Sequence, residues 1–363
     1  MTTSLRCALV GTGAVANLHA LAVAAHPRAD LVAVTDHTRS AADAFAERYD
    51  VPAVYDDLDG LLAAEDPDVV LICTPPGAHR GQTITVFAAG AHVVVEKPPA
   101  SSLAELDEMR AAAVAADREL AVVFQQRTGT AAAHVRRLLH DGALGRPLIA
   151  TCETLWYRGT DYFAVPWRGK WATEGGGTTL GHGIHQLDLL AFLLGDWATV
   201  RGELWRLDRE TETEDASTAT VTFASGVVAQ VTTSAVSPRE VSAIRIDTQK
   251  ATITVEHLYG HGHDNWSISP APGFEEESAA WAFPQNEERS DHGPLLRDVF
   301  DALLDGTPLP DTATAPARSF EIVAAIYASA AAGGAPITPS DLANHPTHRQ
   351  SFASPVTDLR PGR

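Results

Sequence analysis

The feature that most constrains the fold of this sequence is a glycine-rich turn near its start. The apolar run 7–10 is followed by Gly11-Thr12-Gly13-Ala14-Val15-Ala16 and then by an Ala-rich run. Gly11 permits a tight turn, Gly13 leaves room for a ligand to approach the backbone, and Ala16 allows a helix to pack closely on a strand. Such a turn presents the N–H groups of the helix to an anion. It predicts a strand that leads into a crossover helix of a parallel α/β sheet.

Short β-branched runs alternate with longer Ala-rich runs as far as residue 124, and this alternation supports the same prediction. The predicted strands are 6–10, 30–36, 53–55, 69–74, 92–96 and 120–124. The predicted helices are 14–25, 40–49, 58–64, 79–89 and 102–116. Right-handed crossovers then cover both faces of the sheet with helices, as in a doubly wound Rossmann domain.

After residue 124 the pattern changes to a helix and then several β runs without intervening helices. This predicts an α+β domain on a large, mostly antiparallel sheet with one open face. The predicted helices are 131–144, 294–304 and 318–332, and the predicted strands are 148–156, 200–207, 217–223, 227–234, 242–247 and 251–257. We therefore expect a domain at 1–124, a second domain at 125–340, and a loosely ordered polar tail at 341–363.

The charge balance excludes some classes of partner. The 363 residues include 46 acidic and 27 basic side chains, which gives a formal net charge of −19 at pH 7. Nucleic acids and anionic membrane surfaces would be repelled by this charge. Hydrophobic residues at 45% and charged residues at 20% are typical of a globular protein and not of a disordered chain.

The cysteines and the first residues indicate the compartment. Cys7, Cys73 and Cys152 are far apart and lie in predicted strands, so buried thiols are expected and not disulfides or a metal cluster. No signal peptide is expected, because the first apolar run leads directly into the glycine turn. No run is long and apolar enough for a membrane span. The expected location is the cytoplasm.

The end of the second predicted strand indicates which dinucleotide the glycine turn would bind. Asp36 lies there, where a carboxylate can accept hydrogen bonds from the adenosine ribose and repel a 2′-phosphate. NAD is therefore predicted as the cofactor. His37 and Arg39 lie nearby and leave NADP as an alternative. The predicted cofactor contacts in this region are Gly11, Thr12, Gly13, Ala14, Val15, Ala16, Asp36, His37 and Arg39.

Two further segments lie at the carboxyl ends of predicted strands, the edge at which parallel sheets bind ligands. They are Cys73-Thr74-Pro75-Pro76, followed by His79, and Glu96-Lys97-Pro98-Pro99. Their prolines could simply end the strands. Lys97 could be a surface side chain, or it could hold a substrate hydroxyl beside a nicotinamide and lower the pKa of that hydroxyl. The predicted cofactor contacts at this edge are Cys73, Thr74, Pro75, His79, Glu96, Lys97 and Gln125.

A third segment begins with Gly175-Gly176-Gly177 and continues through His182, His185 and Asp188. Together, the glycine turn, the T-P-x-x-x-H segment, the E-K-P tripeptide and this glycine-rich helix resemble the glucose-fructose oxidoreductase, inositol dehydrogenase and MocA family. The resemblance covers about residues 5–340. It implies a catalytic Lys97, an often cis Lys97–Pro98 peptide and a catalytic His185.

The sequence departs from the family pattern at one position. Many members have a catalytic Asp four residues before the histidine, where this chain has Gly181. His182 could contact substrate in its place, or it could only line the pocket. His185 itself could be a packed helical histidine. A zinc site from His182, His185 and Asp188 fits helical spacing, but no further ligand is indicated and the family uses none, so no metal is predicted.

A loop rich in aromatic and basic side chains, 156–171, precedes the glycines. Aromatic rings can stack on the C–H faces of sugars, while Arg and Tyr bind hydroxyls or an acidic group. The alternative is an oligomer contact, because Trp, Tyr and Arg are also enriched at interfaces. The predicted substrate contacts are Lys97, Tyr157, Tyr162, Trp167, Arg168, His182 and His185.

These features predict an NAD(P)-dependent oxidoreductase. A hydride would pass between nicotinamide and a secondary alcohol or ketone of a sugar, cyclitol or similar small molecule. His185 would act as the base and Lys97 would stabilise the oxygen, the two coming from different domains. Two alternatives remain: NAD-dependent glycoside cleavage through transient oxidation, and a cofactor-binding sensor. A homodimer or homotetramer formed through the open sheet face is also predicted.

Overall fold

The computed structural model describes residues 4–257, 259–314 and 317–360. These residues form two compact units. The first unit comprises 4–100, 104–125 and 292–314, and the second comprises 101–103, 126–257, 259–291 and 317–360. Within the described residues, none of the helices has both the length and the apolar character needed to cross a bilayer.

Strands and helices alternate up to residue 122. The strands are β1 (Leu5–Val10), β2 (Ala29–Thr35), β3 (Ala53–Tyr55), β4 (Val69–Ile72), β5 (His92–Val95) and β6 (Leu120–Val122). The helices are α1 (Ala16–Ala25), α2 (Arg39–Tyr49), α3 (Leu58–Glu65), α4 (Pro76–Ala88) and α5 (Leu103–Ala116). All strand pairs are parallel, in the order β3-β2-β1-β4-β5-β6. This order confirms the predicted Rossmann sheet, whose topological switch point lies between β1 and β4.

The rest of the chain is mostly β structure with flanking helices. Its elements are α6 (Thr130–His140), β7 (Pro147–Tyr157), α7 (Thr160–Phe163), α8 (Trp171–Glu174), α9 (Ile184–Leu194), β8 (Trp197–Arg206), β9 (Ala216–Phe223), β10 (Val228–Ser234), β11 (Val236–Thr248), β12 (Ala251–Glu256), β13 (Trp266–Pro270), α10 (His292–Asp305), α11 (Ala317–Ala331), α12 (Pro339–Ala343) and β14 (Thr357–Asp358).

The second unit is built on an eight-stranded sheet in the order β13-β12-β11-β7-β10-β9-β8-β14. Its pairs are antiparallel except β10 with β7 and β14 with β8. Along the central strand β7, Ala150, Cys152 and Thr154 are buried, whereas Ile149 and Thr151 on the other face are exposed. Helices α9 and α11 pack on strands of this sheet. The predicted α+β architecture is confirmed, and β13 and β14 are strands that the sequence pattern did not indicate.

Helix α10 lies in a different place from the one expected. The sequence pattern suggested that it closes the second domain, but it packs in the first unit. Leu296 and Phe300 of α10 belong to the same buried cluster as Leu9 of β1 and Val23 of α1. The apolar face of a helix shows that the helix is buried but does not show which sheet buries it.

The prediction of a loosely ordered tail is wrong for 341–360, while 361–363 lie outside the described residues. Phe352 is 1% exposed, and its ring stacks on Tyr327 with centroids 5.7 Å apart. Farther on, Thr357 pairs with Trp205 in the sheet. The tail has no apolar periodicity because it is held by single anchoring residues and not by a regular element.

We expect Phe352→Ala to lower the free energy of unfolding by about 3–5 kcal/mol, the usual cost of removing a buried phenylalanine. Gln350→Ala, at an exposed position two residues earlier, should change it by less than about 0.5 kcal/mol. Chemical denaturation of both variants measures the difference. Equal effects of the two substitutions would contradict the packing of this segment.

Candidate functional site

The glycine turn has the geometry needed to receive a dinucleotide. Gly11 has a φ of +88°, and a Cβ at this residue would lie 2.9 Å from the backbone nitrogen of Thr74, so both conformation and space require glycine. A Cβ at Gly13 would meet no atom within 4 Å. The space beside Gly13 and the N-terminus of α1 therefore fit a pyrophosphate.

Asp36, directly after β2, holds this turn through hydrogen bonds. Its Oδ2 accepts from the Thr12 backbone N–H at 2.8 Å and from the Thr12 hydroxyl at 3.1 Å, and its Oδ1 accepts from the Thr38 N–H at 2.8 Å. Burial acts to raise the pKa of Asp36, but these hydrogen bonds outweigh it and hold the pKa below its usual value. A charged carboxylate is thus fixed beside the glycine turn.

The two basic residues that left NADP as an alternative are placed differently. Arg39 pairs with Asp43 at 2.8 Å and with Asp56 at 2.6 Å. The exposed ring of His37 has its Nδ1 2.9 Å from Asp36. Because the guanidinium of Arg39 is already paired with two carboxylates and not left to bind a 2′-phosphate, the arrangement favours NAD over NADP.

His79 joins the loops that follow β4 and β5. Its Nδ1 lies 2.9 Å from the carbonyl oxygen of Pro98, and its Nε2 lies 2.7 Å from that of Thr74. Burial lowers the pKa of His79. The Lys97–Pro98 peptide is cis, as the family resemblance implied. His79, which is fully buried, therefore ties the T-P-x-x-x-H segment to the E-K-P segment.

Glu96 is the centre of a buried hydrogen-bond network in the first unit. Its Oε1 lies 2.9 Å from Nε2 of His19 and 3.1 Å from Nε2 of His292, and its Oε2 accepts from the Lys97 backbone N–H at 3.1 Å. A carboxylate only accepts, so both imidazoles donate. Burial acts to raise the pKa of Glu96, but the two histidines outweigh it and hold the pKa well below its usual range. The network fixes the main chain at Lys97.

Sequence reasoning missed His19 and His292. His19 lies in the mostly apolar helix α1, and a polar residue at a core position was the signal that could have indicated a buried partner. Among the described residues, His19, Glu96 and His292 form the one set of possible metal ligands whose donor atoms all lie within 4.8 Å of one another. Their mutual hydrogen bonds account for the cluster without an ion.

In the second unit the glycine segment leads into a π-helical turn. Thr179–Gly183 form this turn and α9 follows directly, in the segment that the family resemblance described as a glycine-rich helix. A Cβ at Gly177 would lie 2.1 Å from the carbonyl oxygen of Glu214, so glycine is required there. The buried Glu214 carboxylate accepts from the N–H groups of Gly177 and Thr179 at 3.1 and 3.0 Å, and burial raises its pKa. Such turns are frequent at functional sites.

Asp188 holds the other end of this segment. Its two oxygens bind the guanidinium of Arg127, and Oδ1 also accepts from the Ser319 hydroxyl at 2.6 Å. Because both oxygens have buried partners, the zinc alternative with His182 and His185 has no support in the geometry. Glu214 and Asp188 thus fix the backbone on which the two histidines lie.

Each of these histidines contacts a tyrosine. His182 is 8% exposed and has its Nε2 2.9 Å from the Tyr162 hydroxyl. His185 is 1% exposed and has its Nε2 3.2 Å from the hydroxyl of Tyr259, a residue that sequence reasoning missed. Tyr259 is an isolated tyrosine in the loop between β12 and β13, and neither a motif nor a periodicity marks it.

The aromatic loop forms a cluster within the second unit. The guanidinium of Arg168 lies 3.8 Å from the ring centre of Tyr162 and 4.3 Å from that of Trp167. Tyr157, in contrast, is an exposed residue at the end of β7, and its ring contacts Arg209. The structure therefore brings Tyr162, Trp167 and Arg168 together but places Tyr157 in another environment.

The departure at Gly181 has a counterpart nearby. A Cβ at this residue would lie 3.7 Å from Oε1 of Glu174. Glu174 is 7% exposed, accepts from the Gly169 N–H at 2.5 Å and lies 3.6 Å from Arg168. A buried carboxylate is therefore present beside position 181, although residue 181 does not carry it.

Two family models match the chain. Residues 5–124 match an oxidoreductase family with an NAD-binding Rossmann fold, and residues 132–254 match the GFO/IDH/MocA C-terminal domain. The D-glucoside 3-dehydrogenase of Escherichia coli (strain K12) is 32% identical over 285 residues, which cover 71% of this chain and 80% of that protein. The inositol 2-dehydrogenase of Rhizobium meliloti (strain 1021) is 32% identical over 198 residues, 53% of this chain and 56% of that protein.

A solved structure is also similar. The WlbA dehydrogenase from Bordetella pertussis, in complex with NADH and UDP-GlcNAcA, has a TM-score of 0.79 at 27% sequence identity. The match covers 93% of this chain and 98% of the WlbA chain. These relatives are dehydrogenases. They give no support to glycoside cleavage or to a sensor without turnover.

The buried histidine of α1 predicts a pH dependence of stability. Burial lowers the pKa of His19 in the folded protein. Its contribution to folding stability is therefore fully present above the histidine pKa of the unfolded chain, about 6.5, and is lost as the pH falls below that value. We expect His19→Gln, whose amide can still donate to Glu96, to reduce the slope of unfolding free energy against pH below 6.5. The reduction should be up to about 1.4 kcal/mol per pH unit.

Denaturation curves between pH 5 and 8 measure this slope. His37→Gln, at a residue whose side chain is 93% exposed, serves as the control for replacing a histidine. Parallel curves for wild type and His19→Gln would contradict the prediction.

Proposed function

The chain belongs to the GFO/IDH/MocA oxidoreductase family, and we propose that it oxidises a secondary hydroxyl of a sugar or glycoside with NAD as the hydride acceptor. The observation that carries the substrate class is the 32% identity to a D-glucoside dehydrogenase over 80% of that protein. The second unit supports it, since an aromatic and arginine cluster with two histidines fits a polyhydroxylated ring.

The residues have distinct roles in this proposal. The glycine turn and the start of α1 would hold the pyrophosphate, and Asp36 would bind the adenosine ribose. When bound, NAD supplies the acceptor for the hydride that leaves the carbinol carbon. Lys97 would donate a hydrogen bond to the reacting oxygen and stabilise its negative charge, and His185 would receive its proton. Tyr162, Trp167 and Arg168 would orient the ring.

A substrate panel tests this function. Purified protein is incubated with NAD or NADP and with alkyl D-glucosides, free aldoses, cyclitols and nucleotide sugars, and formation of the reduced nicotinamide is followed by absorbance. We expect reduction of NAD with at least one glycoside or sugar. Release of an aglycone without net reduction would favour glycoside cleavage instead.

The proposed catalytic pair gives a prediction for turnover. Lys97→Ala and His185→Ala should each lower kcat by about a hundredfold or more, because each would remove a positioned acid, base or charge-stabilising group. NAD affinity should stay within a few-fold. The double variant should lose little beyond the worse single variant, since residues that act as a unit are not additive. Near-normal turnover of His185→Ala would show that another residue acts as the base.

Cofactor preference tests the role of Asp36. Asp36→Ala should shift the ratio of NAD to NADP affinity towards NADP by about tenfold or more, because hydrogen bonds to a charged acceptor are worth about 1.5–3 kcal/mol. Both affinities should fall somewhat, since Asp36 also holds Thr12. Glu47→Ala, on the exposed face of α2, is the control. Equal losses for both cofactors, measured by fluorescence titration, would contradict the role.

Assembly and location complete the proposal. We expect a homodimer or homotetramer through the open face of the second unit's sheet, because an exposed face with Ile149 and Tyr157 needs cover. Light scattering at micromolar concentrations measures the mass, and a monomer throughout would count against it. A cytoplasmic location fits three buried free cysteines, since disulfides are rare in reducing compartments.

A further inference from the structure

The proposed base is buried behind a tyrosine. His185 is 1% exposed, whereas Tyr259, whose hydroxyl lies 3.2 Å from Nε2 of His185, is 50% exposed. A base must be within hydrogen-bond distance of the proton that it receives. In this conformation, the phenol and not the imidazole is therefore the group that a substrate hydroxyl can reach.

We propose that Tyr259 contacts the reacting hydroxyl and passes its proton to His185. This inference rests on the proposed function. The proton of the substrate O–H moves to the Tyr259 oxygen while the phenolic proton moves to Nε2 of His185. NAD, when bound, would accept the hydride of the carbinol carbon as the substrate oxygen becomes the carbonyl oxygen. The imidazole becomes an imidazolium and returns its proton to water through the same phenol.

The position of Tyr259 is fixed by ring contacts. Its ring meets the ring of His185 edge-on, with centroids 5.3 Å apart and planes at 83°. On another side it meets Trp156 at 6.3 Å, and Trp156 is anchored because its Nε1 donates to the Ser242 hydroxyl at 2.8 Å. Tyr259 thus contacts two buried rings while half of its surface is open, as is required of a group that transfers a proton to a buried histidine.

The second His–Tyr pair provides a matched comparison. The Tyr162 hydroxyl lies 2.9 Å from Nε2 of His182 and accepts a hydrogen bond from Arg168. Burial, the largest influence, raises the pKa of Tyr162. Its oxygen is therefore already engaged by a cation, and we assign it to binding and not to proton transfer.

Kinetics with methyl β-D-glucopyranoside and NAD separate the two tyrosines. Tyr259→Phe should lower kcat by about a hundredfold with little change in KM, since it removes only the transferring hydroxyl. Tyr162→Phe should act mainly on KM and lower kcat by less than about tenfold. The double variant Tyr259→Phe with His185→Ala should be no slower than the worse single variant. If Tyr259→Phe has a normal kcat while His185→Ala is inactive, the relay is wrong.

Chemical labelling gives a readout without substrate. Diethyl pyrocarbonate acylates accessible imidazoles, and mass spectrometry measures the rate at each histidine. Wild-type His185 should react at least tenfold more slowly than His37, whose side chain is 93% exposed. Tyr259→Ala should speed the reaction at His185 at least tenfold, whereas Tyr162→Ala should not.

The outcomes distinguish a failure of the Tyr259 relay from a failure of the proposed role of His185 as the base. Rapid labelling of wild-type His185 would overturn the relay, because the imidazole would be reachable without the phenol. Full turnover in His185→Ala would overturn the proposed role of His185 as base, and slow labelling would then show only that the residue is shielded. An inactive His185→Ala, a slow Tyr259→Phe and slow wild-type labelling together would support the relay.

Discussion

The first unit depends on a buried carboxylate that must keep its charge. Removing Glu96 from water is unfavourable unless its oxygens are hydrogen-bonded, and the donors come from three places in the chain: His19 of α1, the backbone of Lys97 and His292 at the start of α10. These donors come from both ends of the unit's sequence. The arrangement explains why α10, although distant in sequence, packs with the Rossmann sheet. It also explains how the backbone that carries Lys97 is held.

The second unit contains two further buried carboxylates whose oxygens accept hydrogen bonds. Glu214 accepts from the backbone N–H groups at the beginning of the π-helical turn, and Asp188 of α9 binds Arg127 and Ser319. Between these anchors lie His182 and His185. In both units, hydrogen bonds to buried carboxylates therefore fix the backbone of the candidate site residues.

The sequence allowed prediction of features whose cause is local. The glycine turn, Asp36 and the ends of β4 and β5 follow from short-range backbone requirements, and family resemblance added Lys97 and His185. Features that depend on residues far apart in the chain could not be predicted. His292 has meaning only once α10 lies beside α1, Tyr259 only once its loop lies over α9, and Phe352 only once the tail packs on Tyr327. Hydrophobic periodicity shows that such segments are buried but does not identify their partners.

Glu174 and Gly181 show how one position can depend on another. Oε1 of Glu174 lies 3.7 Å from where a Cβ on residue 181 would be, so an aspartate at 181 would bring two carboxylates together in a buried place and disfavour the charged form of both. We therefore expect the two positions to be epistatic. On an evolutionary path to a relative with an acid at 181, residue 174 is expected to change first or at the same time.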